Sequence, residues 1–106
     1  MDDFNINVKD IKKRIDNEEN IVLLDVRTDR EREFAIIKNS KFIELNELQE
    51  KFIELDKTKN IIVYCHSGIR STFATRFLIS KGFIAFNMLG GIDEWSRSID
   101  KTIPRY

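Results

Sequence analysis

Cys65, Gly68, Arg70 and Ser71, within the run Cys65-His66-Ser67-Gly68-Ile69-Arg70-Ser71, are the residues of this chain whose types and spacing suit chemistry. Cys65 is the single cysteine. A free thiol titrates near ~8.5, but beside cations or at the start of a helix it falls to roughly 3.5–7.5. The loop offers both conditions. Backbone N–H groups, expected from His66 through Arg70, curl around the sulfur and meet the first turn of a helix, where unpaired N–H groups and the macrodipole favour negative charge. Arg70, at the far lip, adds a fixed cation and a bidentate donor for an incoming anion. Cys65 therefore reads as a nucleophile at neutral pH, with His66, Ser67, Gly68, Ile69, Arg70 and Ser71 as the substrate-binding loop. The plain alternative is a buried, inert cysteine.

His66 is not read as a base for Cys65. Sequence neighbours in an extended segment point to opposite sides, and a base must lie within about 2.6–3.2 Å of its nucleophile. It is expected to shape the pocket mouth. Ser67, Ser71 and Thr72 can donate to an oxyanion, and Ser71 and Thr72 serve equally well as first-turn helix residues.

The loop must be held by its neighbours. Ile61-Ile62-Val63-Tyr64 is apolar, β-branched and bounded by turn residues, the pattern of a strand covered on both faces. After the loop, Phe73, Phe77 and Leu78 recur at helical spacing, predicting a helix that runs to Lys81 and stops at Gly82. Upstream, Phe4, Ile6 and Val8 alternate as a short strand, Ile11 and Ile15 continue as a small helix, and residues 17–20 form a polar turn. Ile21-Val22-Leu23-Leu24-Asp25 is a second buried strand whose end carries Asp25 and Arg27 to the same rim as Cys65. Their expected role is architectural, with Asp25 bonding loop backbone and Arg27 in an ion pair.

Thr28 and Glu31 form a capping-box pattern opening a short helix through Phe34. A strand is expected near residues 42–45. Asn46 is then expected to cap a helix with Leu48, Phe52 and Leu55 on one face. Residues 83–88 give a last strand, Gly90-Gly91 a close strand-to-helix turn, and Ile92 and Trp95 the inner face of a final helix. Strands alternating with helices predict an α/β domain, residues 1–106, with about five parallel strands and helices on both faces.

With these residues in view, Cys65-His66-Ser67-Gly68-Ile69-Arg70-Ser71 resembles the active-site loop of the rhodanese family, whose short form is Cys, two residues, Gly, one residue, Arg, Ser. Leu23-Leu24-Asp25-Val26-Arg27, Gly82-Phe83 and Leu89-Gly90-Gly91-Ile92-Asp93-Glu94-Trp95 fall where that family has further marks, so the likeness spans nearly the whole chain. It implies a single rhodanese-like α/β domain and a sulfurtransferase in which Cys65 takes sulfur from thiosulfate or a persulfide and passes it to a thiol, cyanide or a protein. One departure is Ala35-Ile36-Ile37-Lys38-Asn39-Ser40, where the family often has Gly-His-Ile-Pro-Gly-Ala. That substitution leaves the conformation of this loop open.

Two other readings come from the same resemblance. Cysteine phosphatases and arsenate reductases use a similar loop with five residues between Cys and Arg, whereas here there are four. Rhodanese-like binding or regulatory modules commonly lack the cysteine, which is present here. The end of the chain, through Ile99-Asp100-Lys101-Thr102-Ile103-Pro104-Arg105-Tyr106, is similar to rhodanese modules attached to E1-like enzymes that activate sulfur-carrier proteins. That likeness points to a protein acceptor or to descent from such a fusion.

Composition sets the outer limits. The 106 residues suffice for one core, and 42% hydrophobic with 34% charged residues is a globular composition. Eighteen basic and eighteen acidic side chains cancel, so no global field attracts nucleic acid or an anionic membrane, and neither is expected as a partner. Met1-Asp2-Asp3-Phe4 lacks a basic n-region, and no apolar run approaches the ~18 residues of a membrane span, so the expected location is cytoplasmic. One Cys and one His cannot build a structural zinc site, and no cofactor is expected. With no second thiol, a sulfur held on Cys65 must leave to another molecule.

Overall fold

The structure is a computed structural model that describes residues 3–106. Met1 and Asp2, which entered the reading of the N-terminus and of the 1–106 span, lie outside the described residues. Five strands form one parallel sheet in the order β1-β5-β4-β2-β3: β1 (Asn5–Ile6), β2 (Ile21–Asp25), β3 (Lys41–Phe42), β4 (Asn60–Tyr64) and β5 (Ile84–Met88). Four α-helices connect them, α1 (Val8–Asp16), α2 (Asp29–Phe34), α3 (Leu48–Lys51) and α4 (Ile69–Ser80), and α5 (Gly91–Ser98) follows the last strand. The expected α/β plan is therefore present, strand for strand. None of the helices among the described residues is long and apolar enough to cross a membrane.

β4 is the central strand, and its alternation decides where the chemistry lies. Ile62 and Tyr64 face a core layer with Val8 and Ile11 of α1 and Ile92 and Trp95 of α5. Ile61, Val63 and Cys65 face the opposite layer with Leu48 of α3 and Ala74 and Leu78 of α4. A period of two thus delivers the Cys65 side chain to the α4 face. Ile61, Ile62, Val63 and Tyr64 are each 0% exposed, as a doubly covered parallel strand requires.

Several boundaries differ from expectation. Val8 opens α1 rather than ending a strand, because Asn7 caps the helix and accepts the Asp10 N–H at 2.9 Å. β3 covers only Lys41–Phe42; the chain then bends, though the Ile43 and Leu45 amides still donate to Asp25 and Val26 carbonyls. Asn46 does not cap α3. It sits inside a 3₁₀ turn (Leu45–Glu47), and a second such turn (Phe52–Glu54) follows α3. Leu45, Leu48, Phe52 and Leu55 still pack into one core layer, so the expected apolar face survives without one continuous helix.

On α4, Phe73 is 61% exposed, and the buried face is Ser71, Ala74, Thr75 and Leu78. Small side chains there bring the helix close to β4 and β5. α4 ends as expected, with Gly82 at φ 90° and the Phe83 amide donating to the Leu78 carbonyl. In the departed loop, Asn39 takes φ 67°, a conformation Asn tolerates better than most side chains. Ser40 Oγ and the Ser40 amide both donate to the Ile37 carbonyl, closing that turn.

Candidate functional site

Cys65 follows β4 directly and is 1% exposed. Gly68 stands at φ 113° as the residue before α4, which lets the chain turn back over the sulfur. The Gly68 and Ser71 amides donate to Sγ at 3.1 and 3.4 Å, and Ser71 Oγ lies 3.3 Å from it. The expected cradle ran from His66 to Arg70; the hydrogen bonds to sulfur come from Gly68 and from Ser71, one residue beyond that span. Ser71 is more than a first-turn residue, since its amide and its hydroxyl both reach the sulfur. Thr72 is the ordinary one: its hydroxyl donates to the Gly68 carbonyl at 2.7 Å.

A second helix start fixes the other side of the loop. The Ile92 and Asp93 amides, in the first turn of α5, donate to the carbonyls of Cys65 and His66 at 2.9 and 3.1 Å. With its carbonyls tied outward to α5, the loop keeps N–H groups for the sulfur. Gly91 makes that approach possible, because a Cβ there would collide with both carbonyls, and its φ is 61°. The Gly90-Gly91 turn was expected from sequence; its purchase on the Cys65 loop was not.

Arg70 is bound bidentately to Glu31, Nη1 to Oε1 at 2.6 Å and Nη2 to Oε2 at 2.9 Å. This pairing holds the Glu31 carboxyl well below the usual range, first through the Arg70 hydrogen bonds, against the opposing effect of burial. The same contact raises Arg70, with the charge of the Cys65 sulfur a smaller contributor. Arg70 is thus a fixed cation at the site, but two of its donors are already engaged. Glu31 also completes the capping box with Thr28, so α2 is both started and tied to α4 by one carboxylate.

His66 stacks on Tyr106, with ring centroids 4.2 Å apart and planes 17° from parallel. Its Nε2 is buried without a hydrogen-bond partner among the described residues. Ser67 is exposed beside it, and Ile69 is exposed at the start of α4. The Tyr106 hydroxyl donates to Glu31 Oε2 at 2.7 Å and accepts from Arg27 Nη1 at 2.9 Å. Burial is the main cause that pushes its phenol up to about 12.

Asp25 and Arg27 have the architectural role expected of them. Arg27 donates from its backbone N and from Nε to Asp25 Oδ1, and from Nη2 to Oδ2 at 2.7 Å, with both side chains fully buried. Burial pulls the guanidinium pKa down, but the hydrogen bonds Arg27 donates to Asp25 and Tyr106 outweigh it and the net direction is up. Arg32 adds a second cation to Asp25 at 3.0 Å. One connected set, Asp25, Arg27, Tyr106, Glu31 and Arg70, therefore joins the end of β2 to the lip of the Cys65 loop.

The sequence reading missed Glu31, Asn87 and Tyr106 as neighbours of the site. Glu31 was visible only as a capping residue. Asn87 carried one signal, a polar side chain inside an apolar strand, and Tyr106 lay in a tail whose packing no local pattern reveals.

A model of the Rhodanese-like domain matches residues 7–98. The Bacillus subtilis (strain 168) protein YtwF is 34% identical over 85 residues, covering 80% of this chain and 82% of that one. The thiosulfate sulfurtransferase GlpE of Coxiella burnetii (strain RSA 493 / Nine Mile phase I) is 34% identical over 86 residues, covering 80% and 76%. Among solved structures, the rhodanese-related protein of Thermoplasma volcanium superimposes with a TM-score of 0.83 at 35% identity, over 90% of this chain and 92% of that one. A match that takes in both the Cys65 loop and the Gly90-Gly91 turn that clamps it leaves the conclusion plain: the chain belongs to the rhodanese-like domain family.

Proposed function

We propose that the protein is a sulfurtransferase that carries sulfane sulfur on Cys65. The Cys65 thiolate attacks the outer sulfur of thiosulfate or of a persulfide. A new S–S bond forms to Cys65, and the old one breaks with its electron pair leaving on sulfite or on the donor thiol. A second nucleophile, a thiol, cyanide or a protein sulfur acceptor, then attacks the outer sulfur of the Cys65 persulfide, and Cys65 departs as thiolate. Each half-reaction passes through anionic sulfur at the same place, so one set of donors serves both.

The observation that carries this reading is the convergence on Cys65 Sγ of the Gly68 and Ser71 amides at the start of α4. Arg70 supplies the standing positive charge that an anionic donor meets on approach. His66, Ser67 and Ile69 form the rim by which donor and acceptor enter, and Gly68 and Ser71 hold the reacting sulfur. The named activity of the GlpE relative supports thiosulfate as a donor. A chain with one cysteine has no resolving thiol of its own, so the acceptor is a second molecule, and a reducing compartment such as the cytoplasm suits a free thiol of this kind.

The test is the intact mass of the reduced protein after brief incubation with thiosulfate, and again after cyanide. The expected result is a gain of one sulfur atom that cyanide removes and that Cys65→Ser does not show. Turnover of thiosulfate by the Cys65→Ser protein overturns the mechanism.

A further inference from the structure

Asn87 is a buried amide on an otherwise apolar strand, 3% exposed between Phe86 and Met88. The register sets it beside Val63 on β4 and Asn5 on β1. An amide so placed must be satisfied, and it is: Oδ1 accepts the Ser71 hydroxyl at 2.5 Å, and Nδ2 donates to Asn5 Oδ1 at 3.0 Å. It lies directly beneath the Cys65 loop, since a Cβ on Gly68 would stand 3.8 Å from Asn87 Nδ2. Ser71 Oγ is in turn 3.3 Å from Cys65 Sγ.

A serine hydroxyl has one hydrogen to give. While that hydrogen goes to Asn87, the face Ser71 Oγ shows the sulfur is a lone pair. A lone pair accepts S–H and gives nothing to a sulfur anion. The thiolate is then held by two N–H groups, while the hydroxyl within reach of it works for the protonated form. We propose that Asn87 is a positioning residue for Cys65, acting through Ser71: it keeps the hydroxyl turned as an acceptor toward the sulfur, and so sets how readily the thiol gives up its proton. Asn5, exposed at the sheet edge, maintains the amide's orientation by accepting from Nδ2.

This inference rests on Cys65 as the nucleophile. The charged and titratable groups around the Cys65 loop are Arg70 from α4, Glu31 from α2 paired with it, His66 in the loop, Asp93 at the start of α5 and Tyr106 from the tail. They set a background common to the wild type and to variants at position 87. Against that background Asn87 opposes the loop amides and Arg70, because the hydroxyl it holds favours the protonated thiol.

The experiment is the rate of Cys65 alkylation by iodoacetamide as a function of pH, which needs no sulfur donor. In Asn87→Leu the Ser71 hydroxyl is free to turn its hydrogen to the sulfur, and the midpoint of the profile should move down by about one pH unit. A less basic thiolate is also a weaker nucleophile, so the gain in rate below the midpoint should be about threefold rather than tenfold. In a Ser71→Ala background the same substitution should move nothing. Asn87→Ala, which removes the same acceptor, reads the same quantity if the leucine variant does not fold. An unchanged midpoint, or a shift that survives Ser71→Ala, overturns the proposal. A protein that alkylates as expected but gains no sulfur from thiosulfate would fail the function above while leaving this result standing.

Discussion

Glu31 shows how one carboxylate can hold a site together. It accepts both terminal nitrogens of Arg70, the Tyr106 hydroxyl and the Thr28 amide, which is why its carboxyl titrates far below an ordinary glutamate. A carboxyl depressed in the folded state contributes stability above its unfolded value, near ~4.3, and that contribution is lost as pH falls through the folded value. The protein should therefore lose stability progressively below about pH 4, and Glu31→Gln should flatten that slope while costing about 1 kcal/mol at neutral pH. Denaturant midpoints measured from pH 7 down to pH 2 check both. Freed from Glu31, Arg70 would also offer two more donors to an anion. Arg70→Ala is expected to raise KM for thiosulfate more than for an uncharged sulfur donor, and an equal loss for the two would count against its role as the anion's cation.

At the scale of elements, the site is a loop held between two helix starts, and the two starts do different things. α4 turns N–H groups onto the sulfur, and α5 turns N–H groups onto the carbonyls of Cys65 and His66. Gly91 is where the second hold is tightest, so Gly91→Ala must displace either α5 or the loop. It is expected to cost more than about 2 kcal/mol and to abolish sulfur loading. Gly82, at φ 90°, would meet only the Lys57 side chain, with its Nζ at 3.5 Å. Gly82→Ala should cost about 1 kcal/mol and leave loading intact. Thermal melts with the mass assay on both variants separate strain at the site from strain elsewhere.

Local elements were the legible ones. The strand, loop and helix around Cys65 were readable because each signal, a β-branched run, a glycine and a helical repeat, lies within a few residues of what it specifies. The capping box of Thr28 and Glu31 and the left-handed Gly82 were readable for the same reason. The region of α3 was less so, because an i to i+3 stack and an α-helix leave similar apolar spacing. Phe73 entered the helical repeat with Phe77 and Leu78, whereas the close packing of α4 on the sheet buries Ser71, Ala74 and Thr75 with Leu78 and leaves Phe73 exposed. Asn39 restored by a positive φ what the missing glycines of its loop had left open.

For the whole molecule, the decisive contacts join residues far apart in sequence. Arg27 and Tyr106, separated by 79 positions, meet at 2.9 Å, and no local pattern announces such a meeting. Through it the buried pair of Asp25 and Arg27 is connected to Glu31 and Arg70, so the tail is part of the site's support. Removing one partner of a buried pair strands the other: Asp25→Ala, which leaves the fully buried Arg27 without its carboxylate, should cost about 3–5 kcal/mol in a denaturant titration. Tyr64 at the end of β4 and Tyr106 in the tail bear on the alkaline limit. Both tyrosines titrate above a free phenol, Tyr64 and Tyr106 alike mainly through burial, with Tyr106 near about 12. A group raised in the folded state contributes stability that is fully present below its unfolded value, near ~10, and is lost as pH rises through the folded one. The native protein should accordingly show little tyrosinate absorbance at pH 10, and stability should fall between about pH 10 and 12. In Tyr106→Phe the ring still stacks on His66 and meets Phe34 edge-on, so the loss is confined to the hydroxyl's bonds to Arg27 and Glu31. That variant should be less stable at neutral pH yet lose less between pH 10 and 12 than the wild type. An alkaline profile identical in the two proteins would show that Tyr106 is not the group that titrates.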